Sequence, residues 1–97
     1  MGYGYVERRH FRKIAPWLLR LETATAGLRE DMKAGDRAET IRSLEDVWFW
    51  VGRTICEVLA AQHQLMRDPA LALRTQRAMG QASKISAAAR LFLSTPT

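Results

Sequence analysis

Between Ser43 and Leu65 the chain reads SLEDVWFWVGRTICEVLAAQHQL, and its apolar positions recur in alternating steps of three and four residues. Ile41, Leu44, Trp48, Val51, Ile55, Val58, Gln62 and Leu65 form one stripe along a helix. A second and weaker row, Phe49, Gly52, Cys56, Leu59, His63 and Met66, lies about 90° further round at about 100° per residue. Two adjacent rows need two partners, so the spacing predicts a long helix packed between two others.

The flanking segments supply those partners. Phe11, Ile14, Leu18, Leu21, Thr25, Leu28 and Met32 make a stripe with the same alternation. Pro16 lies within it, and because proline lacks an N–H and its ring crowds the preceding turn, a helix start near Pro16 is expected, with a short turn before it. Ala34-Gly35-Asp36 is a break: Gly35 suits the left-handed residue that closes a helix, and Asp36 with Glu39 forms a capping box that opens the next. Asp68-Pro69 repeats the logic as an N-cap followed by proline at the first helical position. A third stripe follows, Leu71, Thr75, Ala78, Ala82, Ile85, Ala89 and Phe92, built of smaller residues. The expected organisation is an arm over residues 1–10, a single helical domain over 11–93 with helices at 11/16–33, 37–66 and 69–93, and a tail at 94–97. No strand pattern is present, so the fold class is all-α. Its expected form is an up-down-up three-helix bundle of long helices, self-associating into a larger bundle.

Composition narrows this to one domain, since the 97 residues are 47% hydrophobic and 26% charged. The charge of +5 is uneven. Residues 1–21 and 69–97 are basic, the latter without any acid, whereas 22–68 hold nine acids against six bases. Such ends steer an acidic partner toward them. The lone cysteine, Cys56, excludes an internal disulfide, suits a reducing compartment and is expected as a buried thiol in the second row. No window is apolar enough to span a membrane. The opening MGYGYVERRHFRK lacks the apolar core of a secretory signal, and Val6 stands where myristoylation needs Ser or Thr. A cytoplasmic protein that does not enter membranes is expected.

Candidate chemistry is sparse. Cys56 and His63 share a helical row, but seven residues separate them by about 10.5 Å, too far for proton transfer between them. No zinc-ligand spacing or glycine-rich phosphate loop occurs. The expectation is a non-enzyme with no catalytic residues, metal, cofactor or small-molecule substrate. Binding is the alternative to catalysis, and Trp50 points to it: with both apolar rows on one side of the helix, Trp50 faces the other, beside Val47 and Thr54. Either bundle twist buries it or it anchors another chain, with Trp17 extending the patch. The expected activity is that of a regulator, adaptor or inhibitor acting on a protein partner, of the kind encoded as small phage or plasmid accessory proteins, with a homodimer admitted. The competing reading is a nucleic-acid binder that stacks Tyr3 and Tyr5 on bases and meets phosphates with Arg8, Arg9, Arg12 and Lys13 of the arm and with Arg74, Arg77, Lys84 and Arg90. A third reading lends His63 to a composite enzyme site.

Overall fold

The computed structural model describes residues 2–96, and the side chains of 14–96. It is all-helical: α1 (Gly2–Lys33), α2 (Arg37–Ala60), α3 (Gln62–Arg67) and α4 (Pro69–Ser94) pack side by side into a body of 60 × 18 × 17 Å. The calls on residues 1–13, including Tyr3, Tyr5, Arg8, Arg9, Arg12 and Lys13, fall on side chains outside the described ones.

The caps fall where the sequence predicts them. Gly35 adopts φ +71°, and the amides of Gly35 and Asp36 donate back to the Met32 and Asp31 carbonyls at 3.0 and 3.2 Å, the paired bonds that close a helix on a left-handed residue. Asp36 accepts from the Glu39 amide at 3.0 Å, but Glu39 turns its carboxylate to Arg42, so only half of the expected capping box forms. Asp68 accepts from the Leu71 amide at 3.0 Å with Pro69 opening α4. Two boundaries differ from expectation. α1 continues through Pro16, which lies on its exposed side, where no neighbouring helix encloses the proline ring. The predicted helix 37–66 breaks at Ala61, whose amide is shared between the Glu57 and Val58 carbonyls. Ala61 is buried, and neither glycine nor proline marks the place.

The core is three rows of three-and-four spacing. α1 contributes Ile14, Leu18, Leu21, Thr25 and Leu28, and α4 contributes Leu71, Thr75, Ala78, Ala82, Ser86 and Ala89. The α1 row is the predicted one over the described side chains, with Met32 partly buried, whereas in α4 Ser86 is buried beside the predicted row and Ile85 and Phe92 of that row are only partly so. α2 contributes Thr40, Val47, Thr54 and Ala61, with Leu44, Val51 and Trp50 partly buried beside them. α1 packs on both α2 and α4, and the seam between α2 and α4 is the slimmest of these three. The helix between two others is therefore α1, and the expectation for α2 is corrected: α2 has only one broad packed side.

Cross-helix contacts fix the directions. Ser43 donates to Asp31 near the first turn and Trp17 meets Trp50 further along, so α1 and α2 run antiparallel. Glu22 pairs with Arg74 and Arg29 with Gln81, so α1 and α4 advance together. At the α4 end, Arg37 from the start of α2 donates to the carbonyls of Phe92, Leu93 and Thr95 and lies 5.8 Å over the Phe92 ring. It supplies donors to the end of a helix, where carbonyls lack them, and shares the Phe92 carbonyl with the Thr95 amide.

Candidate protein-docking face

The rotation of α2 decides what the molecule presents. Trp48, Phe49 and Trp50 follow one another at about 100° intervals around the helix, so they cannot share a fate. Trp50 turns toward α1, where its ring lies 5.7 Å from that of Trp17 at an interplanar angle of 34°. Arginines cover the outer faces of this pair: Arg53 lies 4.8 Å over Trp17 and Arg20 lies 5.2 Å over Trp50. Val47 is 0% exposed and Thr54 1% exposed. Val47 and Thr54 are thus enclosed in the contact between α1 and α2, whereas Trp17 and Trp50 are half-buried there and Trp50 also lines a shallow groove with Pro16, Leu19 and Gly27. The reason is that the buried side of α2 sits about 50° round from the stripe read in the sequence. Leu44, Val51 and Val58 belong to both stripes, but Thr40, Val47 and Thr54 take the inward positions that the sequence reading gave to Ile41, Trp48 and Ile55.

What is displaced outward is apolar. Ile41 is 47% exposed, Trp48 53%, Ile55 43% and Leu59 62%. They lie within about 40° of one another around α2, beside the seam with α4. Arg90 of α4 reaches over the Trp48 ring at 5.8 Å and marks that side. From Ile41 to Gln62 the arc carrying this row holds no charged residue, while Glu45 stands at its edge. Gly52 lies between Trp48 and Leu59 on the same face, and a Cβ built on it has nothing within 4 Å. Phe49 is also exposed and rests against Trp50 at 4.8 Å, further round the helix. Beyond the break at Ala61 the seam ends in a shallow apolar depression lined by Val58, Gln62, Leu65, Met66 and Ala72.

The remaining candidates are scattered. Cys56 is exposed, not buried, because it lies on the outward side of the corrected helix. His63 is exposed as well. Among the described residues, no group of three or more His, Cys, Asp or Glu side chains is placed to hold a metal ion, and no helix is long and apolar enough to cross a membrane. Of the α4 cations, Arg74, Arg77 and Lys84 lie within about 80° of one another around the helix, and Arg90 stands apart. Arg74 donates to both carboxylate oxygens of Glu22 at 2.7 and 3.1 Å, and that hydrogen bond raises its pKa above the ordinary value. Arg77 lines a shallow groove between α1 and α4 with Glu22, Arg29 and Gln81. Lys84 is exposed on the outer side of α4, and Arg90 lies about 140° round the helix from Arg77, over Trp48.

The outward row is visible in the sequence, where its spacing predicts core. The signal that distinguishes it is Thr40-Val47-Thr54-Ala61, a second seven-residue series whose threonines count as polar by type and are buried in fact. No family model matches the chain, and no curated protein or solved structure matches it.

Proposed function

We propose that the chain is a non-catalytic protein-binding module, a cytoplasmic regulator, adaptor or inhibitor that lays the outward face of α2 against a helical segment of a protein. Its three long helices serve as an up-down-up bundle whose open side is the α2–α4 seam. The observation that carries this reading is the exposed apolar row Ile41, Trp48, Ile55 and Leu59, bordered by Arg90 of α4 over the Trp48 ring. These four side chains expose roughly 400 Å² of apolar surface, as much as the largest patch of an ordinary monomer, and tryptophan at its centre is the residue type most often found to anchor interfaces. A straight row spaced by seven residues fits the ridges of another helix better than a flat or deeply curved partner.

A photo-reactive amino acid at Ile55, expressed in the organism that encodes the protein, tests the proposal. Ultraviolet light should yield a discrete covalent protein adduct from Ile55 and none from the same group at Ala87, which is exposed on the outer side of α4. Equal labelling from both positions, or none from either, refutes it.

A further inference from the structure

Resting on that reading, we infer that the occupant of the α2 face is a second copy of this chain, docked antiparallel with its two-fold axis at Trp48. The spacing of the row carries this. Ile41 and Ile55 stand seven residues to either side of Trp48, so the centre of the face reads the same in both directions, isoleucine, tryptophan, isoleucine, while at its rim Leu59 of each copy falls level with Arg37 of the other. Antiparallel helices related by a two-fold at Trp48 place Ile41 of each copy against Ile55 of the other and bring the two indoles together at the centre. That is the self-complementary pattern an isologous interface requires.

Two indoles meeting on an axis need somewhere to go, and Gly52 provides it. One turn from Trp48 and on the same face, it leaves a notch with nothing within 4 Å of a Cβ position. Glycine inside an exposed helix is unfavourable relative to alanine, and here no contact within the chain requires it. In the paired arrangement each indole lies over the other copy's Gly52, where a side chain would obstruct it. The area sets the strength: two copies cover roughly 800 Å² of apolar surface between them, which suits a weak, concentration-dependent dimer. The seam between α2 and α4, slim in one chain, becomes part of a four-helix layer made of α2 and α4 from each copy.

Molar mass in solution is the first measurement, by light scattering on wild type, Trp48→Ala and Gly52→Leu. Wild type should reach twice 11.0 kDa. Both variants should keep wild-type helical content by circular dichroism while their dimer dissociation constant rises about 30-fold or more. Orientation is read separately by disulfide formation in a Cys56→Ser background. Ile41→Cys mixed with Ile55→Cys should cross-link, whereas neither variant should do so alone, because like positions lie about 21 Å apart along antiparallel helices and a disulfide needs Cα atoms within about 7 Å. Wild type that stays monomeric up to about 200 μM, where an interface of this size class is populated, overturns the inference. So does a dimer indifferent to Trp48→Ala, or cross-linking by Ile41→Cys alone. A monomer that still gives an Ile55 photo-adduct with a different protein removes the self-pairing and leaves the docking face standing. A monomer with no adduct removes both.

Discussion

Replacing Thr54 with valine should stabilise the protein. Thr54 is 1% exposed, and its Oγ1 is the one buried side-chain oxygen or nitrogen among the described residues without a hydrogen-bond partner. The other buried threonines are satisfied within their own helices. Thr25 donates to the Leu21 carbonyl at 2.8 Å, Thr40 to the Asp36 carbonyl at 2.6 Å, and Thr75 to the Leu71 carbonyl at 2.8 Å. A buried hydroxyl left unpaired costs about 1–3 kcal/mol, and a methyl group in its place gains about 0.8 kcal/mol from burial. Valine and threonine have nearly equal helix propensity, so the backbone is indifferent to the exchange. The two terms add to roughly 2–4 kcal/mol of stability for Thr54→Val, or about 8 °C or more in Tm for a chain of this size. Urea and thermal unfolding followed by circular dichroism measure it, at one fixed protein concentration, since self-association adds a mass-action contribution. Thr25→Val and Thr75→Val are the controls: each exchanges a satisfied bond worth about 1 kcal/mol for a similar apolar gain and should change little. If Thr54→Val stabilises no more than the controls, the hydroxyl is paired in solution, the Trp50 carbonyl one turn back being the available acceptor, and the reasoning fails.

Arg37→Ala should cost about 1–2 kcal/mol by releasing the last carbonyls of α4 to solvent, and hydrogen exchange should show faster amides over the final turn of α4 with the rest of the helix unchanged. Gly52→Ala should stabilise the isolated chain by up to about 1 kcal/mol in urea unfolding, since the added Cβ meets nothing within 4 Å and alanine holds a helix better. The Glu22–Arg74 pair is partly exposed, so a double-mutant cycle with alanine should return no more than about 1 kcal/mol of coupling. The Arg74 pKa is raised in the folded state, so its contribution is complete below the unfolded pKa and is lost only as pH climbs through the folded one; the coupling should stay constant from neutral pH to about pH 11.

Helix punctuation was legible in the sequence because it is local chemistry. Gly35, Asp36, Asp68 and Pro69 act through their own backbones and nearest amides, and each does what its residue type dictates. The α1 and α4 stripes were legible too, since each has only one apolar side. α2 was not, because it carries apolar residues over more than half of its circumference and a count of them favours the wider row. Thr40 shows why the count misleads: its hydroxyl returns to the Asp36 carbonyl, which leaves its methyl group free to pack in the core. The same 50° rotation half-buries Trp50 against α1, encloses Val47 and Thr54, turns Cys56 outward and exposes Ile41, Trp48 and Ile55. The break at Ala61 has no local signal, and Pro16, which has one, is absorbed by an exposed position in a long helix.

The unequal seams also set an order of opening. α1 and α2 are joined by a tight turn, share the Trp17–Trp50 contact and meet through large side chains, whereas α4 packs mostly alanine, serine and threonine and meets α2 only thinly. Detachment of α4 from the α1–α2 hairpin is therefore the sub-global opening that gives up the least packing. Held at one end by Arg37 and near the other by Glu22, α4 behaves as a latch on that hairpin. Its release leaves Leu18, Leu21 and Leu28 of α1 open along one side, making the chain most vulnerable to proteolysis and misassociation at a stage when most of its helical content is still intact.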